Sequence, residues 1–251
     1  MLRFILLLVF IISGLGYGKE LTLYAASNFS SVFDKIKVLY EKEYPEDKIK
    51  IIYGSSGKGY HQIIRGAPFD IFFSADMRYL DSLYKKGLTK SKPRVFLIGK
   101  IVLWTGKNSG IKLKGLKTVL DPDIERIALA NPDLAPYGKA AVECLKKYGL
   151  YSKIKTKIVT GENISKTVQF VETGAADIGF IALSLAKSER LKRKGNYIII
   201  NTECHSPIKQ GYIVLKDKNK AATKFLKFLK RKDIVKILVN SGYTLPGEDN
   251  E

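Results

Sequence analysis

The sequence predicts an α/β protein of two lobes, each a mostly parallel sheet flanked by helices, and three observations carry that reading. Short β-like runs alternate with amphipathic helical runs from Leu21 onward, the pattern of repeated strand-helix-strand units. One unusually long apolar run, RVFLIGKIVLWTG from Arg94 to Gly106, interrupts the alternation, which then restarts. A further run, KQGYIVL from Lys209 to Leu215, precedes two closing helical segments. The expected division puts residues 19–96 and 208–251 in lobe one and 97–207 in lobe two, with crossings near 93–103 and 205–213.

In chain order, LTLYAA is a strand, and FSSVFDKIKVLYEKEY is a helix because Phe29, Val32, Phe33, Ile36, Leu39 and Tyr40 recur at helical spacing. KIKIIYGS, the helix KGYHQIIRG, the strand FDIFFSA and the helix MRYLDSLYKKG, closed by Gly87, complete the first series. The second series reads strand RIALANP, helix GKAAVECLKKYG, strand KIVTG, helix ISKTVQFVETG, strand ADIGFIALS, a helix from Leu183 to Lys194, and strand NYIIIN. After KQGYIVL come the helices NKAATKFLKFLKRK and DIVKILVNSG. In sheets of this kind, ligands collect where strand ends meet helix starts, and a cleft between lobes can enclose one.

The first 18 residues, MLRFILLLVFIISGLGYG, join one basic residue to an apolar core and a small-residue end. That is the layout of a cleavable export signal, with cleavage after Gly18. The strictly apolar part, Phe4 to Ile12, is shorter than the ~20 residues a spanning helix needs. The mature protein is therefore read as soluble, exported and periplasmic. Removing this segment, whose one charge is Arg3, lowers the formal net charge from +19 to +18. Such a charge raises the question of nucleic acid. The chain, however, carries 35 Lys against 8 Arg, with the lysines scattered over helical segments, whereas phosphate and base readout favours arginine's bidentate fork. No nucleic-acid partner is expected.

Cys144 and Cys204 lie on a predicted helix and near a strand end, 60 residues apart. Export permits a disulfide, but nothing local brings the two together, and separate half-buried thiols are the favoured reading. Asp70 and Asp76 flank one strand without a fixed catalytic spacing, and His61 and His205 have no neighbours at zinc-ligand spacing. YGSSGKG lacks the P-loop spacing, and no G-x-S-x-G is present. A serine hydrolase acting through a loop serine is a distant alternative without a nearby base.

Four strand-to-helix turns stand out: YAASNF around Ser27, YGSSGK around Ser56, LAPYGK around Tyr137 and TGENIS around Asn163. Each puts small, hydroxyl or amide side chains with free backbone N–H groups at a helix start, the ordinary anion-binding feature of helices. Any one of them is also explained by helix capping. Two come from each half of the chain, so convergence on one point would hold an oxyanion by neutral hydrogen bonds alone.

Across essentially the whole mature chain the sequence resembles the molybdate-binding periplasmic proteins of ABC transporters, through TLYAASNFSSVF, IIYGSSGKGYHQI, GAPFDIFFSAD, IALANPDLAPYGKAAVE and GENISKTVQFVETGAADIGFIALS. The GAPFDIFFSAD and NPDLAPYG blocks, in this order, are the specific ones. The resemblance implies a two-lobed periplasmic binding protein fold that closes over molybdate or tungstate and delivers it to a membrane permease. It implies a monomer and no enzyme, no cofactor, and no metal bound directly to protein, molybdenum or tungsten entering as the oxyanion. Carried over position by position, it implies ligand contacts from Ser27 and Asn28, from Ser56, and from the backbone N–H groups of Tyr137 and Ile164. Asn28 stands where some members have Ser, so that its amide would donate in place of a hydroxyl. Ala182 stands where some members have Tyr, a gap that Asn28 or Tyr137 would fill. A receptor for sulfate, thiosulfate or another small oxyanion is the alternative.

Overall fold

The structure is a computed structural model describing residues 20–216 and 219–247; the expected export signal, residues 1–18, lies outside these. The first half of the chain forms β1 (Glu20–Ala26), α1 (Ser30–Glu43), β2 (Lys48–Gly54), α2 (Ser56–Ile64), β3 (Ile71–Ser74), α3 (Met77–Lys85) and β4 (Arg94–Gly99). The second series comprises β5 (Ile101–Gly106), β6 (Ile127–Ala130), α4 (Pro136–Lys147), α5 (Tyr151–Ile154), β7 (Ile158–Gly161), α6 (Ile164–Glu172), β8 (Ile178–Ala182), α7 (Leu183–Ala186), α8 (Leu191–Lys194) and β9 (Gly195–Ile199). The chain then returns through β10 (Ile208–Val214) to α9 (Lys220–Phe228) and α10 (Lys232–Asn240).

Two five-stranded sheets result, ordered β2-β1-β3-β10-β4 and β7-β6-β8-β5-β9. The two repeat one plan. In the first sheet β1 pairs in parallel with β2 and β3, and β10 runs antiparallel to β3 and β4. In the second, β6 pairs in parallel with β7 and β8, and β5 runs antiparallel to β8 and β9. The reversed strand in each sheet is the one delivered by a crossing. The long run 94–106 accordingly divides at Lys100 into β4 of one sheet and β5 of the other.

The expected helix from Leu183 to Lys194 is broken into α7 and α8. Ser188 explains the break: its hydroxyl donates to the Leu185 carbonyl at 2.6 Å and accepts from the Leu191 N–H at 3.3 Å, local bonds that compete with a continuous helix. The cysteines, expected as separate thiols, form a disulfide, with Cα atoms 4.6 Å apart. The chain leaving β9 passes over α4 and is held there, Lys147 Nζ donating to the Glu203 carbonyl (2.7 Å) and the Ser206 N–H to Glu143 (2.8 Å). That proximity is a product of tertiary folding.

An aromatic cluster docks the C-terminal helices onto the first sheet. Phe33 packs against Phe29 and Phe73, with centroids 4.7 and 4.9 Å away, and Tyr40 against Phe225 and Phe228 at 5.4 and 5.2 Å. Phe29 is fully buried and also stacks on Tyr243, 5.7 Å away. Burying such a ring contributes about 1.5–3 kcal/mol, and here it fixes the turn that carries Ser27 and Asn28.

Candidate functional site: a neutral cavity between the lobes

Each of the four turns is built differently. After β1, residues Ser27–Phe29 form one turn of 3-10 helix leading into α1. After β2, Ser55 caps α2 by accepting from the Lys58 N–H at 3.2 Å, which places Ser56 at the first helical position. Pro136 opens α4; it has no N–H, so the first backbone donor of that helix is Tyr137. Asn163 caps α6 by accepting from the N–H groups of Ser165 and Lys166 at 3.0 and 3.1 Å, leaving the Ile164 N–H as the uncapped donor.

The structure brings all five expected site residues, Ser27, Asn28, Ser56, Tyr137 and Ile164, to the wall of one cavity. The rest of the lining is Ala26, Gly54, Ser55, Ala75, Ala135, Pro136 and Asn163, without a charged side chain. The cavity offers about 10 Å³ to the centre of a water-sized sphere. For a rounded hollow that means a radius of ~2.7 Å once the ~1.4 Å sphere is added, the scale of one small oxyanion and too little for a sugar or an amino acid. A larger open groove of about 1030 Å³ lies at the opposite ends of β6 and β8, beside Trp104 and Lys107, and contains none of the four helix starts. Among the described residues, no group of three His, Cys, Asp or Glu is arranged to hold a metal ion.

The lobes are closed on this cavity. The Gly57 N–H donates to the Leu134 carbonyl (3.0 Å), the Ser184 hydroxyl to the Asn28 carbonyl (2.9 Å), the Ser31 hydroxyl to the Ser184 carbonyl (3.2 Å) and the Tyr79 hydroxyl to the Asp133 carbonyl (3.0 Å). Lys58 and Glu162 pair at 2.6 Å across the same seam, each about half exposed. Passage of a solute requires these contacts to part, as in hinged domain closure.

Ser56 is 1 % exposed. Its oxygen accepts from the Ala75 N–H at 3.0 Å, which leaves its own proton for a ligand. Asn28 differs from expectation. Its side-chain amide donates to Gln210 Oε1 at 2.6 Å and to the Tyr243 oxygen at 3.0 Å, so both amide protons are engaged inside the protein and the backbone N–H is the donor left to the turn. Tyr137 also does more than present an N–H: its phenol oxygen accepts from Gln210 Nε2 at 2.9 Å. Burial pushes the pKa values of the Tyr137 and Tyr243 phenols upward, so both stay protonated and neutral. Two residues beyond Ala182, the Ser184 hydroxyl donates to the Asn28 carbonyl, and the phenol of Tyr243 from the C-terminal segment donates to the same carbonyl, each at 2.9 Å. Gln210, Tyr243 and Ser184 escaped sequence reasoning. The one local signal was a glutamine at the start of the strand run KQGYIVL, just before its apolar part.

Residues 21–244 match the family model of the bacterial extracellular solute-binding proteins. The molybdate-binding protein ModA of Rhodobacter capsulatus is 34 % identical over 221 residues, covering 87 % of this chain and 85 % of that one. ModA of Azotobacter vinelandii is 34 % identical over 231 residues, 90 % of each chain. The solved periplasmic molybdate-binding protein of Azotobacter vinelandii superposes with a TM-score of 0.82 at 31 % identity, over 90 % of this chain and 99 % of that one. These relatives are solute-binding proteins, and this chain is likewise a binding protein and not an enzyme. Matched along nearly all its described length, in sequence and in its pair of five-stranded sheets, the chain belongs to the bacterial extracellular solute-binding proteins, in the periplasmic molybdate-binding family.

Proposed function

We propose that this protein captures molybdate, and also tungstate, in the periplasm and delivers it as a monomer to the membrane permease of an ABC transporter. The observation that carries the reading is the convergence of four helix starts, two from each lobe, on one small uncharged cavity. Backbone N–H groups and hydroxyls arranged around a dianion stabilise it without a counter-charge, and the partial positive charge of each helix start adds to this. A lining of donors with no carboxylate acceptor disfavours protonated phosphate. Sulfate has the same charge and shape but is smaller, so a rigid cavity leaves it with longer and weaker hydrogen bonds. Molybdate and tungstate differ too little in size for this mechanism to separate them.

Titration calorimetry of the mature protein with molybdate, tungstate, sulfate and phosphate tests the proposal. Saturable binding of one molybdate or tungstate per chain, far tighter than sulfate, is the expected result; millimolar or absent binding of both ends the idea. Ala182 and the internally engaged Asn28 amide favour, as the second reading, a receptor for sulfate or thiosulfate. The same titration would then rank those anions first.

A further inference from the structure

We propose that Gln210 is a positioning residue for oxyanion binding, its buried amide holding the Asn28 turn of one lobe and the Tyr137 helix of the other in fixed register. This rests on the oxyanion-receptor reading above. Gln210 sits on β10, the strand that returns from the second lobe, and is fully buried. It is not among the residues lining the cavity, yet it touches two that are. Its Oε1 accepts from Asn28 Nδ2 at 2.6 Å and its Nε2 donates to the Tyr137 oxygen at 2.9 Å. A planar amide with one acceptor end and one donor end satisfies both partners in a single orientation only.

The fold makes room for this bridge at the hinge itself. Gly99, the last residue of β4, pairs with Ile208 at the start of β10. A Cβ on Gly99 would stand 2.3 Å from the Tyr137 oxygen and 2.4 Å from Gln210 Nε2, so glycine is the residue that allows the two to meet there. On the other side Asn28 is clamped by Tyr243, which accepts from its amide and donates to its carbonyl, and by Ser184, which donates to the same carbonyl. Asn28 and Tyr137 present backbone N–H groups from opposite lobes. A bridge through Gln210 therefore sets how far apart those donors stand when the lobes are closed, and donor spacing is what distinguishes a larger oxyanion from a smaller one.

The test compares the parent with Gln210→Leu, Tyr137→Phe and the double variant, measuring molybdate and sulfate affinity by calorimetry and the melting temperature without anion. Leucine keeps the volume, takes from Asn28 Nδ2 one of its two acceptors, leaving Tyr243, and takes from the Tyr137 oxygen its donor. The expected result is molybdate binding weakened roughly ten- to hundredfold, with a smaller molybdate-to-sulfate affinity ratio. The double variant should lose no more than Gln210→Leu alone, since both changes cut one bridge. A purely structural role would lower the melting temperature and leave affinity and ratio at the parent's values, and that outcome overturns the proposal. So do additive losses in the double variant. Failure of the parent itself to bind molybdate or sulfate is a different result: it removes the receptor reading, and the positioning role with it.

Discussion

Replacing Ser56 by Ala separates a ligand contact from a structural one. The Ser56 oxygen accepts from the Ala75 N–H at 3.0 Å in a setting with 1 % exposure, so Ser56→Ala orphans a buried donor, a cost of about 1–3 kcal/mol to folding. For a chain of this size that corresponds to a melting temperature lower by about 2–4 °C per kcal/mol. If the hydroxyl proton also serves the anion, a second loss appears in binding: a hydrogen bond to a charged group contributes about 1.5–3 kcal/mol, or roughly a ten- to 150-fold weaker molybdate affinity. Ser56→Asp compounds the two effects: a carboxylate buried in a cavity without a counter-charge costs the anion-free fold its desolvation and repels the dianion by about 4 kcal/mol per pair of unit charges at ~4 Å. The assay is calorimetric titration beside a thermal melt of the anion-free protein. A Ser56→Ala protein that melts earlier but binds molybdate within about twofold of the parent would refute the ligand role and leave Ser56 as a support for Ala75.

Reducing the Cys144–Cys204 disulfide, or replacing both cysteines by Ala, removes a cross-link between residues 60 positions apart and is expected to cost about 2–4 kcal/mol, read as a lower melting temperature under reductant. Gly138→Ala places a Cβ 1.9 Å from the Ala130 carbonyl oxygen; overpacking of this kind costs about 1–3 kcal/mol, and because α4 must back away from β6, the Tyr137 N–H moves with it and calorimetry should record weaker molybdate binding as well. Glu172 gives a pH signature. Burial alone would raise its carboxyl, but hydrogen bonds from Arg190 and Lys194 outweigh burial and hold it below its ordinary 4.5. A depressed carboxyl stabilises the fold above the unfolded value and loses that contribution as pH falls through the folded one, so Glu172→Gln should melt earlier than the parent at pH 7 and converge with it under acid, below 4.5.

Much of the site was legible because its elements are local. A strand running into a helix through Ser, Asn, Gly or Pro declares a helix start, and a helix start carries unpaired N–H groups whatever the tertiary context. The four turns around Ser27, Ser56, Tyr137 and Asn163 could therefore be named from the chain alone, while the contact set Ser27, Asn28, Ser56, Tyr137 and Ile164 came from the family resemblance. Side-chain orientation could not, because it depends on partners distant in sequence: the Asn28 amide turns inward to meet Gln210, 182 residues on, and Tyr243, 215 residues on.

The sequence by itself determined the repeated strand-helix alternation, the small, hydroxyl and amide residues of the helix starts and the family, since these rest on periodicity, residue type and matching blocks. Only the tertiary structure decided that β5 and β10 run against their neighbours, that Cys144 meets Cys204, and that a glutamine at the hinge joins the two lobes. Each of these depends on where the chain returns in space after crossing between the sheets, and hydrophobic pattern is the same for a strand running in either direction.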